Sequence, residues 1–400
     1  MTHEEARRAR GYDYPDRSRA FTDTVYGHDA KPEKEMRADL DRAIHAFDPA
    51  PAAYRVFFGD IHGHSTLSDG NYSIDECYKN ARDIAKLDFC AVTDHDHGGV
   101  GNKELWMPDP NWGGRSRWEI LQEKAAQYSE PGAFTAMLGY ERDSYPWCNN
   151  MVLYYRGAKG EMVRDEHDGE ITQAAYEALL QRKDMIAVPH TSGRIDSGCD
   201  FSAKSAMQIP RLLEIYSRSG AYEYFDNPYP SDTNCRGGYY QDALAQGALM
   251  GCIANSDDHD GLQGRDEAQS GNAFRRHSGI TAVWARDNTR EAIFEALYAR
   301  RCYGFMGGRI TLDFRINGHY MGEVIPDAGR RDIFYQVTAD APVERVTLVK
   351  NERDDMFFVE ACQKMCFDYR RERPRDCYYL RVKLKDGRMA WSSPIWVQDR

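Results

Sequence analysis

From residue 54 to residue 301 the chain alternates two apolar patterns. Short, nearly continuous apolar runs at 54–60, 88–95, 134–141, 151–155, 185–188, 212–216, 249–254 and 279–284 read as buried strands. Segments at 118–128, 171–183, 242–246 and 289–301 repeat apolar residues every three or four positions and read as helices. A further helix opens with a Ser-x-x-Glu capping box at Ser73-Ile74-Asp75-Glu76 and carries an apolar face of Ile74, Cys77, Ala81, Ile84 and Ala85. Strand, helix, strand at this spacing predicts βαβ units and an α/β fold, with the 151–155 run as an antiparallel exception.

From about Ile310 the helical period disappears. Runs at 312–316, 333–337, 346–349, 378–382 and 390–397 alternate with turn signals, including Asn317-Gly318 and Asp386-Gly387. They predict a small antiparallel β domain over 310–400, sandwich-like in character. Residues 1–53 have sparse apolar positions and read as an N-terminal arm, with one amphipathic helix marked by Met36, Leu40, Ile44 and Phe47. The expected division is therefore 1–53, 54–309 and 310–400.

Length supports this, since 400 residues exceed the ~250–300 at which one hydrophobic core stops growing. The formal net charge of −11 argues against nucleic acid as a general partner, which demands clustered Lys and Arg. It leaves room for a small anionic substrate, and a homo-oligomer is compatible with it. No apolar run reaches the ~18 residues of a membrane span, and the first thirty residues lack a signal-peptide core. The ten cysteines are scattered without a Cys-x-x-Cys pair. They read as buried free thiols and predict a cytoplasmic location.

The chemistry gathers at strand ends. His62 and His64 are two residues apart after an extended run, so both side chains project to one side. Asp69, His95, Glu141, His190, Asp257 and His259 each lie at or just beyond the end of a predicted strand. Imidazoles with carboxylates suit Zn, Mn or Fe, and eight candidates are too many for one tetrahedral site. At least two divalent ions are expected, with Glu141 as the bridging carboxylate.

His62-x-His64, Ser68-Asp69-Gly70, Thr93-Asp94-His95, Gly139-Tyr140-Glu141 and Ser256-Asp257-Asp258-His259 resemble the ordered motifs of the PHP (polymerase and histidinol phosphatase) superfamily. The resemblance covers about residues 54–400, in a bacterial branch that carries a C-terminal β extension. It implies a distorted (β/α)7 barrel with two or three divalent metal ions, and phosphoester hydrolysis. It assigns one ion to His62, His64, Glu141 and Asp257, a second to Glu141 and His190, and a third to Asp69, His95 and His259. A further histidine belongs after the Glu141 strand. Here Asn149 and Asn150 occupy that region, and an amide oxygen is a weaker ligand, so the second ion is expected to be loosely held. His97 and His167 are the candidate substitutes.

The mechanism expected from this resemblance uses a metal-activated hydroxide as nucleophile. Leaving-group protonation falls to Asp94, Asp96, His97 or metal-bound water. Arg142, Arg194 and Arg218 follow candidate ligands or strand ends and are expected to bind phosphoryl oxygens, unless local carboxylates already hold them. Trp106, Trp112 and Trp118 either wall the pocket or pack on the barrel. Two alternatives stand beside the phosphoesterase reading. One is a metal hydrolase for amides, lactones or esters, and the other is a degenerate binding module. The acidic balance argues against a DNA-linked proofreading role.

Overall fold

The computed structural model describes residues 54–97, 104–142, 148, 150–163, 173–202, 204–265 and 277–399. The N-terminal arm, Asn149 and His167 lie outside them.

The interior is built on β1 (Arg55–Asp60), whose inward residues include the buried Phe57. The capping box at Ser73 forms as expected. Its hydroxyl accepts from the Glu76 N–H, and Glu76 Oε2 accepts from the Ser73 N–H at 2.9 Å. Helix α1 (Ile74–Lys79) then widens into a π turn over Asn80–Ile84. The Ala85 N–H reaches back five residues to Asn80 O at 2.8 Å, which shifts the helical phase. Ile84 consequently faces solvent at 62% exposure, a correction to the apolar face expected from a uniform helix.

Apart from three two-residue strands at Pro108–Asp109, Arg115–Ser116 and Gly220–Ala221, the other strands of this half are β2 (Phe89–Cys90), β3 (Thr135–Ala136), β4 (Leu138–Arg142), β5 (Met151–Tyr155), β6 (Met185–Pro189), β7 (Leu212–Ser217), β8 (Gly251–Ala254), β9 (Gly279–Ala285) and β10 (Cys302–Met306). Helices α2 (Arg117–Tyr128), α3 (Gln173–Leu180), α4 (Tyr240–Ala245) and α5 (Arg290–Tyr298) lie between them in sequence. The fold is mixed α/β but rich in strands. β1, β2 and β3 pair in parallel, as do β7 and β8. By contrast β4, β5 and β6 form an antiparallel ladder, and β9 joins β1 antiparallel. Three separate hydrogen-bonded ladders, rather than one closed ring, therefore carry these strands. Packing without a ladder brings β6 against β7, and β8 against β9 and β10.

The second half begins with β11 (Ile310–Ile316), followed by β12 (Arg331–Ala339), β13 (Val343–Lys350), β14 (Arg353–Val359), β15 (Gln363–Asp368), β16 (Arg375–Leu384), β17 (Met389–Ser392) and β18 (Ile395–Gln398). β14 and β15 were not expected. Each is an edge strand paired on one side, with short apolar runs at 356–359 and 365–367 that are exposed or half-buried. β11 alternates buried and half-exposed residues. Its Leu312 and Phe314 share one core with Leu348 and Leu380 of the other sheet. The two halves are joined by backbone as well as by packing. Tyr303, Gly304 and Phe305 of β10 pair with Ser392, Trp391 and Ala390 of β17, so one ladder crosses the 309/310 position.

A buried carboxylate ties the halves together. Glu223 accepts from Arg381 Nε at 2.8 Å, Tyr379 Oη at 2.7 Å and Trp391 Nε1 at 2.8 Å. One cysteine expectation is corrected. Cys148 and Cys199, opposed in an isolated antiparallel bridge with Cα atoms 4.1 Å apart, form a disulfide. This removes two of the ten free thiols on which the cytoplasmic expectation rested. Among the described residues, no helix is long and apolar enough to cross a membrane.

Replacing Glu223 with Ala removes the buried partner of the Arg381 guanidinium and leaves it Asp354, a half-exposed carboxylate at the other end of the group. Chemical denaturation should show a loss of ~3–5 kcal/mol. A change under ~1 kcal/mol would contradict the anchoring role, since that is what an exposed pair contributes.

Candidate metal centre

The candidate ligands converge because the strand ends are laced to one another. The Asp257 N–H donates to His62 O at 3.0 Å and the His64 N–H to Asp258 O at 2.7 Å. Asp60, buried at the end of β1, accepts from Ser256 N–H at 3.1 Å and Gly264 N–H at 2.8 Å. On the other flank the Asp96 N–H donates to Glu141 O at 2.8 Å, which holds the His95 segment beside β4. The Ser68-Asp69-Gly70 turn folds back so closely that a Cβ on Gly70 would lie 2.4 Å from His64 O. Thr191 and Asp257 adopt positive φ, 51° and 56°. Such conformations cost ~1–3 kcal/mol each and persist where surrounding structure imposes them.

His62, His64, Glu141 and Asp257 are all buried, with one ligand atom from each lying within 4.8 Å of the others. Nε2 of His62 is 3.1 Å from Glu141 Oε2 and 3.6 Å from Asp257 Oδ1. Nε2 of His64 is 3.2 Å and 3.3 Å from the same two oxygens. Asp69, His95 and His259 form a second group with His64. His259 Nε2 is 3.2 Å from Asp69 Oδ2 and His95 Nε2 is 3.7 Å from Asp69 Oδ1. His190 presents Nε2 to Asp257 Oδ2 at 3.4 Å, so it approaches Asp257 where the sequence expectation paired it with Glu141. The donor set fits borderline divalent ions. A further sign is that both buried ring nitrogens of His64 lack a hydrogen-bond partner, although Nε2 lies close to two carboxylates.

The electrostatics follow from these contacts. Burial works to discharge His62, yet Glu214, Asp257 and Glu141 outweigh it and push the imidazole up to about 10. Burial opposes the charge on His64 too, and Asp257 and Glu141 push it up to about 10. Burial would raise Glu141 and Asp257, but the histidines hold both well below the usual carboxylate range. His95 is lowered, chiefly by burial.

The other candidates divide. Asp94 is fully buried and accepts from the Ser65 N–H (2.8 Å), the Ser65 hydroxyl (2.7 Å) and the Ser68 hydroxyl (2.6 Å). It anchors the turn that carries Asp69, which corrects its expected role as a proton donor. Arg142 is buried and donates to Asp96 Oδ2 at 2.9 Å, and Arg194 makes a two-pronged pair with Asp196. Local carboxylates thus hold both guanidinium groups, which corrects their expected role in phosphate binding. Arg218 differs. It is 37% exposed, and its Nε lies 3.6 Å from Asp257 Oδ2. His97 is half-exposed, with Nδ1 3.0 Å from Asp96 Oδ1 and its ring 6.2 Å from that of His95. Asn150 directs Nδ2 at Glu141 Oε1, 3.3 Å away, and its carbonyl accepts from the His190 N–H. In that orientation a donor, rather than a ligand, faces Glu141. Trp118 packs on Tyr140 and Tyr155, and Trp106 and Trp112 lie half-buried against the core.

Glu214, absent from the expected set, is buried in the middle of β7. It contacts Nδ1 of both His62 (3.0 Å) and His190 (2.7 Å). The available signal was a lone carboxylate inside Leu212-Leu213-Glu214-Ile215-Tyr216, since an unpaired charge in an apolar strand is costly.

Comparison with known proteins adds relatives of undescribed function. A family model described as "Protein of unknown function (DUF3604)" matches residues 246–363. An uncharacterized protein of Chlamydia pneumoniae is 27% identical over 378 residues, covering 87% of this chain and 58% of the relative. Another, from Chlamydia muridarum, is 25% identical over 86% of this chain and 57% of its own length. The chain thus spans just under three fifths of these relatives. Among solved structures, a Bacteroides vulgatus two-domain protein containing a predicted PHP-like metal-dependent phosphoesterase is similar with a TM-score of 0.44. It is 12% identical, over 86% of this chain and 96% of that one. Fibronectin(III)-like modules of Clostridium thermocellum CbhA align with 22% of this chain at a TM-score of 0.19. Such scores do not establish a shared fold.

Without an ion, His62 and His64 carry protons at neutral pH, because both are raised to about 10. An ion requires their lone pairs. Zinc uptake should therefore release protons and tighten as pH rises from 6 to 8. Calorimetric titration in buffers of different ionisation enthalpy measures this. Uptake without proton release would contradict the arrangement.

Proposed function

We propose that this protein is a metal-dependent phosphoesterase acting on a small soluble substrate. In this reading, the strands from β1 to β10 make up a distorted (β/α)7 barrel of the PHP kind whose ladders are interrupted, and residues 310–400 are its β extension. The observation that carries the reading is the convergence of His62, His64, Glu141 and Asp257 from three strand ends, with Asp69, His95 and His259 beside them. The order and spacing of the motifs that deliver these residues support it.

Divalent ions held there would supply positive charge opposite phosphoryl oxygens and a water of lowered pKa. The rest is done by the chain. Glu141 and Asp257, both held well below the usual carboxylate range, would be the anionic ligands for the ions. Asp94 and Gly70 set the turn that brings Asp69 to His95 and His259. Arg218, at the rim beside Asp257, offers N–H donors that bind and orient a phosphoryl oxygen. His97, backed by Asp96, is the rim group that hands a proton to the leaving oxygen. The ion beside His190 would be held more loosely than the other two, because Asn149 and Asn150 occupy the region where the resemblance expects a further histidine.

Zinc- or manganese-loaded protein should hydrolyse aryl phosphate monoesters or diesters. Turnover of lactones or amides, with none of phosphoesters, would overturn the substrate class. His64→Ala and Asp257→Ala should each lose metal and activity with unchanged far-UV circular dichroism, and full activity in either refutes the assignment. Arg218→Ala should raise KM roughly tenfold or more, because a charged hydrogen bond is worth ~1.5–3 kcal/mol. Arg194→Ala should stay near the parent value, since its guanidinium is already held by Asp196. Equal effects of the two arginine variants would contradict the role given to Arg218.

A further inference from the structure

Two imidazoles from different strand ends share one carboxylate at their backs. Glu214 Oε2 lies 3.0 Å from His62 Nδ1, and Glu214 Oε1 lies 2.7 Å from His190 Nδ1. The far nitrogens, both Nε2, face Glu141 Oε2 at 3.1 Å and Asp257 Oδ2 at 3.4 Å. A third donor completes Glu214, as Asn255 Nδ2 reaches Oε2 at 2.7 Å. The orientation of that amide is determined by its other end. Asn255 Oδ1 accepts from the Ile61 N–H at 3.0 Å and from the Thr281 hydroxyl at 2.9 Å, so Nδ2 must point at Glu214.

We infer that Glu214 is a positioning residue that sets the tautomers of His62 and His190 together, keeping both Nε2 lone pairs turned to the metal centre. The inference rests on the metal reading above. An ionised carboxylate only accepts, so each Nδ1 facing it must carry the proton. A neutral imidazole protonated at Nδ1 has its lone pair on Nε2, which is the form a metal ligand needs. Glu214 is itself no ligand in this account, because its oxygens already sit at hydrogen-bonding distance from three N–H donors.

The shared carboxylate makes an asymmetric prediction. In Glu214→Gln, one oxygen becomes an NH2 group. Asn255 continues to donate at the Oε2 position, so the amide oxygen must stay there, beside His62. The NH2 group then faces His190 and drives its proton to Nε2. His62 keeps its tautomer while His190 loses it. Glu214→Asp, although shorter, only accepts and leaves both tautomers intact.

The test is zinc binding, measured by equilibrium dialysis with elemental analysis, on the full chain. Glu214→Gln should weaken one ion by about 10–100-fold, the range for loss of such a backing group. His190→Ala should weaken the same ion, and the double variant should lose no more than either alone. Glu214→Asp should bind better than Glu214→Gln despite the poorer match in size. A merely structural role predicts the reverse ranking, or loss of every ion at once, and either result overturns the inference. If Glu214→Gln does not fold, the 15N shifts of the two imidazoles in zinc-loaded unmutated protein decide. Protonated Nδ1 with metal-shifted Nε2 is expected on both, and the opposite pattern on either overturns it. Unmutated protein that takes up no zinc overturns this and the metal reading alike. Normal uptake by both the unmutated chain and Glu214→Gln overturns the inference alone.

Discussion

Two buried carboxylates, Glu141 and Asp257, govern the arrangement of the first half of the molecule. Each is almost fully withdrawn from water, where an uncompensated negative charge would cost several kcal/mol. Around them stands a shell of imidazoles drawn from separate strand ends: His62 and His64 after β1, His95 after β2 and His190 after β6. Those histidines must arrive at one point, and the backbone lacing at Asp60, Ser256 and Asp258 is what brings them there. Positive φ at Thr191 and Asp257 is consistent with side-chain placement outweighing local backbone preference.

Much of this cluster was legible in the chain because its histidines and carboxylates sit in short local motifs. His-x-His after an apolar run, Ser-Asp-Gly, Asp-His after a strand and Asp-x-His after another are readable from neighbours in sequence. What escaped reading depends on distant partners. Arg142 and Arg194 look available in one dimension, and only the fold shows that Asp96 and Asp196 hold them. Asp94 stands beside a candidate ligand in sequence yet is turned to the Ser65 and Ser68 hydroxyls. Glu214 was hidden for the opposite reason, since it lies inside an apolar strand, away from the strand ends where ligands were sought. The Cys148–Cys199 pair joins segments with a sequence separation of 51, and no local spacing announces it.

Element types were read better than their connections. The antiparallel β5, the change of pattern near Ile310 and both Asn-Gly and Asp-Gly turns were visible. Gly318 and Gly387 indeed take positive φ. The interrupted ladders were not visible, because a buried strand looks alike whether its neighbour is bonded or merely packed. Nor was the joining of β10 to β17, which makes the β extension continuous with the sheet that carries His62 and His64. Glu223, Arg381 and Trp391 reinforce that junction with side chains.

The central claim is that the convergence of imidazoles and carboxylates is a metal centre rather than a self-compensated ion cluster. Anomalous diffraction at the zinc edge, from crystals soaked in zinc, tests it most directly. A strong peak enclosed by His62, His64, Glu141 and Asp257, with a second beside Asp69, His95 and His259, is the predicted result. Peaks confined to the molecular surface, with none inside the cluster, would contradict the account.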